Sequence, residues 1–151
     1  MMTVIRRLVV LDRAMGDFSR RPDWEIRLAK ELAAAALRNF EWGVHDCARF
    51  AARGFEAQTG AVPWSADFGS YRTELGAARA IARAGGFEAP IDRELERRTE
   101  AVWAARGDVG LVDLAAGPAL GLVDQGVILI AASPRGLGAL PLRAARIIWK
   151  V

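Results

Sequence analysis

Apolar positions recur at two different periods along this chain, and the change of period divides it. In the first half they return every three or four residues. Trp24, Leu28, Leu32 and Ala35 fall on one stripe of a helix predicted over Pro22 to about Arg38. Pro22 suits the first turn, where its missing N–H has no intrahelical partner, and Asp23 and Glu25 complement the positive end of the helix dipole. Cys47, Phe50, Ala51, Gly54 and Phe55 repeat the pattern and predict a second helix from near Cys47 to about Gln58. Gly54, without a side chain, leaves room on that face for another element to approach closely. Tyr71 to Ala84 reads as a third helix stopped by Gly85-Gly86, and Pro90 opens a short fourth one to about Thr99.

From Gly107 the pattern shortens. Val109 to Leu114, Leu120 to Val123, Val127 to Ala131, Leu137 to Leu142 and Ala145 to Val151 are short runs separated by turn residues such as Gly117-Pro118 and Asp124-Gln125-Gly126. That spacing predicts an antiparallel β-meander. Helices first and strands afterwards predict an α+β domain rather than alternating βαβ units. Residues 1–20, rich in arginine around a short apolar patch, stand outside the periodic body and read as an N-terminal extension, an assembly arm. Residues 21–151 read as one domain.

Composition removes several classes. With 151 residues and 52% hydrophobic content, the chain is large and apolar enough for a real core. Cys47 is the single cysteine and cannot form an internal disulfide; with His45 as the single histidine, no ordinary zinc site is available. No apolar run approaches the roughly 20 residues that span a bilayer, and Leu8 to Leu11 is too short for a signal-peptide core. Gly136-Leu137-Gly138 is a strand turn, not a phosphate loop, and no cofactor is called for. The net charge is +3, but 19 arginines and two lysines are scattered among 18 acids. The densest group, Arg93, Arg97 and Arg98, is interrupted by Glu94 and Glu96 and reads as a solvated helix face rather than a nucleic-acid groove. The five tryptophans read mostly as core or interface fillers, with Trp64 the example of a loop ring that could stack on a sugar.

One stretch carries chemistry, Phe40-Glu41-Trp42-Gly43-Val44-His45-Asp46-Cys47-Ala48-Arg49-Phe50. It puts a cysteine in the first turn of a helix, where amides and dipole can stabilise a thiolate and the Cys47 N–H could serve an oxyanion. Asp46 reads as the helix cap, accepting amide protons from the first turn.

Cys47 opening a helix, followed by strands that begin at Arg106-Gly107-Asp108-Val109, resembles the NlpC-type branch of the papain-like cysteine peptidases, hydrolases of peptidoglycan stem peptides. Those segments, with Arg21-Pro22-Asp23-Trp24-Glu25, Gly117-Pro118-Ala119-Leu120-Gly121 and Ala145 to Val151, more closely resemble an uncharacterised family encoded in tail gene clusters of phages, prophages and gene transfer agents. The resemblance covers about residues 21–151. It implies an NlpC-type fold, helices followed by the meander.

It also exposes a departure. The peptidases carry a general-base histidine in a pattern like His-Val-Gly-Ile; the matching residues here are Ala119-Leu120-Gly121-Leu122, so the degenerate base position is Ala119. A cysteine nucleophile at neutral pH relies on an adjacent base. His45 is the only other source, and two residues before Cys47 it is expected to point away from the sulfur. Cys47 therefore reads first as a small buried hydrophobe and His45 as part of the helix mouth. The resemblance implies a structural component of a phage or phage-derived tail, at the distal hub or tip. Its expected partners are other tail proteins, in multiple copies of a symmetric assembly, with no specific nucleic acid and no membrane span. The expected location is the virion tail, and the host bacterial cytoplasm during assembly. The alternative is an active cysteine peptidase or amidase that hydrolyses peptidoglycan through Cys47 during infection. A nucleic-acid-binding module is the weakest reading.

Overall fold

In the computed structural model, which describes residues 18–61 and 64–151, the helical half forms four α-helices. The first, α1 (Trp24–Ala35), buries Leu28, Leu32 and Ala35 as one stripe. It ends short of Arg38 because Ala36 and Leu37 form a turn. The second, α2 (Cys47–Thr59), buries Phe50, Ala51, Gly54 and Phe55 and closes at Gly60, whose φ of 77° is a left-handed cap. Each fully buried phenylalanine is worth roughly 2–3 kcal/mol of transfer free energy. The third, α3 (Glu74–Ala84), starts where the Thr73 hydroxyl accepts the Gly76 N–H at 3.0 Å and stops at Gly85.

The fourth, α4 (Glu88–Asp92), is far shorter than the helix predicted from Pro90 to Thr99. Residues 96–98 leave it to pair with the last strand: Arg98 N–H donates to the Ile148 carbonyl at 2.7 Å and Lys150 N–H to the Glu96 carbonyl at 2.8 Å. A ladder partner has overridden a helical pattern. It follows that Arg93, Arg97 and Arg98 do not form one helix face. Arg97 instead grips Asp92 at 2.7 and 2.6 Å, and Arg98 grips Asp108.

The second half is one antiparallel sheet: β1 (Val109–Leu114), β2 (Gly117–Asp124), β3 (Val127–Ala131), β4 (Leu137–Pro141) and β5 (Ala145–Trp149), in the order β4-β3-β2-β1-β5. The first four follow the expected meander, and β5 returns to the far side of β1. Only Leu142–Ala144 joins the two edge strands. Across a flat sheet the edges would lie about 19 Å apart, four spacings of about 4.8 Å, beyond the roughly 14 Å that four Cα steps can reach. The sheet is therefore curled towards a barrel. Its inner face holds a small cluster of Val112, Ala119, Val123 and Ile128, lined by Ala104, Ile130, Leu140, Leu142 and Ala145. Its outer face, with Val109, Leu111, Leu120, Leu122 and Trp149, joins the helices in the main core.

The helix α2 lies across β2 and β3 with α1 behind it. The approach is close because Gly54 sits over Leu122, where a Cβ would collide with the leucine side chain. Most of the extension, residues 1–17, lies outside the described residues. Phe18 and Arg20, read as its end, already pack on the body. Phe18 meets Phe55 edge-on at 5.3 Å, and Arg20 donates to the Arg106 carbonyl at 2.7 Å. Among the described residues, no helix is long and apolar enough to cross a membrane.

Candidate functional site

The approach to α2 is a tight hairpin. Glu41 and His45 exchange backbone hydrogen bonds at 3.0 and 2.8 Å, and Gly43 takes the turn at φ 79°. A Cβ on Gly43 would run into the Tyr71 carbonyl oxygen, so this position needs glycine twice over. The hairpin delivers Asp46 to the N-cap. One carboxylate oxygen accepts the Arg49 N–H at 2.9 Å; the other accepts the Gly43 N–H at 2.9 Å and the Tyr71 hydroxyl at 2.7 Å. Asp46 thus ties hairpin, helix and the loop before α3 together while fully buried. Its link to Tyr71 crosses 25 residues and left no mark in the local pattern.

Cys47 is the first residue of α2 and touches both hydrophobic clusters, the main core and the inside of the curled sheet. It is half-buried. Burial pushes the thiol up to about 11; the Leu120 N–H pulls it down, the Asp46 carboxylate pushes it up, and the Ala48 and Cys47 amides pull it down again. Helix amides do reach the sulfur, as the sequence suggests, but desolvation outweighs them. The strand that supplies Leu120 also carries Ala119, in the inner cluster that Cys47 packs against.

The His45 imidazole is buried and engaged elsewhere. Arg53 Nη1 lies 3.3 Å from Nδ1, and the ring sits edge-on to Phe50 at 6.3 Å. A guanidinium only donates, so Nδ1 is the acceptor and the proton is on Nε2, which is buried without a partner. Burial, then Arg53 and Arg38, hold its pKa below the ordinary histidine value, against opposing effects of Asp46 and Glu31. The groups acting on the sulfur are Leu120, Asp46, Ala48 and its own amide; His45 is not one of them.

The Gly-Asp turn before β1 does more than turn the chain. Asp108 is fully buried and accepts from Arg98 Nε at 2.9 Å, Ala105 N–H at 2.8 Å and Val151 N–H at 3.1 Å. Next to it, Gln58 at the end of α2 donates to the Gly107 carbonyl at 2.9 Å and accepts from Arg20 Nε at 3.1 Å. The sequence reading of Asp108 as a plain turn residue missed this; a carboxylate flanked by arginines far along the chain was the only available signal. Trp64 is wholly buried and offers no stacking face, whereas Trp103 is 64% exposed.

Chemically, the site holds a neutral thiol under backbone N–H donors, with the imidazole bound to an arginine. Among the described residues no His, Cys, Asp and Glu cluster could hold a metal ion. The model of a domain family of unknown function, DUF6950, matches residues 19–151. No curated protein matches the chain.

Proposed function

The chain belongs to DUF6950, a family of unknown function, and we infer that it is a structural component of a phage or phage-derived tail, at the distal hub or tip. On this reading it is built on an NlpC-type papain-like fold without a catalytic dyad. The observation that carries the reading is the state of Cys47. Burial pushes its thiol up to about 11, and the residue packs against the cluster that contains Ala119, the position that matches the base of the peptidases. A thiol so held is almost wholly protonated at neutral pH, and among the described residues no imidazole acts on it. The tail location rests on the resemblance of residues 21–151 to proteins of tail gene clusters. The geometry adds a rigid two-layer body suited to docking in a symmetric assembly.

The second reading, a peptidase or amidase acting on peptidoglycan, draws support from the Leu120, Ala48 and Cys47 amides around the sulfur. Incubating purified protein with peptidoglycan beside a Cys47→Ala control separates the two. Equal absence of released peptides supports the structural role, and Cys47-dependent release overturns it. Mass spectrometry of the purified particle tests the location: peptides of this chain in isolated tails are expected, and their absence from intact particles refutes it.

A further inference from the structure

Trp103 stands on a three-residue turn of 3-10 helix and is 64% exposed. An indole left in water forgoes burial of a large apolar ring, and Trp103 takes no part in the core. Beside it lies a cleft of about 320 Å³ lined by Glu96, Arg97, Arg98, Thr99, Trp103 and Lys150. The cleft exists because residues 96–98 run along β5 as a short extra strand. That pairing sets Glu96 against Lys150, yet among the described residues their side chains form no ion pair with each other or with a third group. Arg97 and Arg98 each spend Nε and Nη2 on Asp92 and Asp108, carboxylates outside the cleft lining. Lys150 and Thr99 line the same cleft.

We propose that this cleft binds a saccharide ring bearing a carboxylate. A pyranose presents one apolar C–H face and a rim of hydroxyls. The cleft matches it with one aromatic face and otherwise polar groups, and its size is at the small end of ligand sites. The Lys150 ammonium, which no carboxylate among the described residues pairs, favours an acidic ring: Lys150 pairs with the ring carboxylate, Glu96 and Thr99 take hydroxyls, and Trp103 covers the C–H face. The inference is independent of the tail assignment.

The test is calorimetric titration of the intact chain with tetragalacturonate, and with maltotetraose as the neutral counterpart. Binding of tetragalacturonate in the millimolar range or tighter is expected, weakened about tenfold by Trp103→Ala. Lys150→Gln is expected to weaken the acidic probe several-fold and leave the neutral one unchanged. Both side chains are exposed, so the melting temperature should not move, and Val102→Ser, which alters an exposed neighbour outside the cleft, should bind as the parent does. Failure of both probes to bind at about 10 mM overturns the proposal, as does binding that survives Trp103→Ala. A change of sedimentation in Trp103→Ala without saccharide binding also overturns it, and would make the surface an interface between copies.

Discussion

Alkylation of Cys47 reads the state of the thiol directly. The sulfur titrates at about 11, against a reference of 9.0. Two pK units mean about a hundredfold less thiolate at neutral pH. The more basic thiolate is intrinsically about six- to tenfold more nucleophilic, which offsets part of that loss. The net expectation is iodoacetamide modification at least about tenfold slower in the native chain than in the urea-unfolded chain at pH 7. Intact-mass kinetics from pH 6 to about 11.5 should show the unfolded rate levelling near 9 and the native rate still rising through about 11. The same shift links to stability. The folded pKa is raised, so the contribution is complete below the unfolded value near 9 and is lost as pH climbs towards 11, by about 2–3 kcal/mol. Cys47→Ala should remove the part of the alkaline slope that sets in near pH 9, leaving the part above about 10 that Tyr71 contributes, its hydroxyl also held above its ordinary value by burial and Asp46. A native rate equal to the unfolded one at pH 7, or an inflection below about 8, would refute this account of the site.

Other perturbations probe the neighbouring groups. His45 has a lowered pKa in the fold, so its neutral form is favoured there and stability should fall as pH drops below about 6.5; thermal melts from pH 8 to 4 should show a loss that His45→Gln removes, and parallel curves would contradict it. Asp108→Ala strands a guanidinium and two backbone donors, and should cost about 3–5 kcal/mol in urea unfolding; a cost under about 1 kcal/mol would show the network to be dispensable. Ala119→His puts an imidazole at the degenerate base position; it should cost about 1–3 kcal/mol through overpacking and lower the Cys47 alkylation inflection by more than about one unit. An unmoved inflection would remove Ala119 from that role.

What could be read beforehand was whatever depends on neighbours in sequence. The stripe of α2 and the cap at Asp46 follow from spacing within two turns, and both stand in the structure. The strands of the meander were legible for the same reason, since their turns are local. The segment 96–98 was misread because its partner, β5, lies some fifty residues on, and one backbone ladder outweighs a weak helical pattern. The curl of the sheet was invisible until β5 was known to pair with β1. Burial of aromatic rings was equally hidden: Trp64 is enclosed, whereas Trp103 faces solvent.

How close this site lies to reactivity is a matter of a few kilocalories. Raising the thiol from 9.0 to about 11 corresponds to about 2.7 kcal/mol in favour of the protonated form. A cation held about 4 Å from the sulfur, in surroundings of effective dielectric near 20, would favour the thiolate by about 4 kcal/mol. That single interaction would more than cancel the desolvation, carrying the thiol to about 8 with the same helix, cap and amides. The positive groups nearest the mouth of α2 do not supply it: Arg53 is bonded to His45 and the Val44 carbonyl, and Arg49 donates to the Gly69 carbonyl. Asp46 cannot be turned to the purpose either, because both of its oxygens are committed to N–H and O–H donors and its charge works against ionisation of the thiol. The protonated state of Cys47 therefore follows from burial that no neighbouring charge offsets rather than from any defect in the helix that presents it, and a substitution at Ala119, in the cluster Cys47 packs against, probes the site more sharply than one at Cys47 itself.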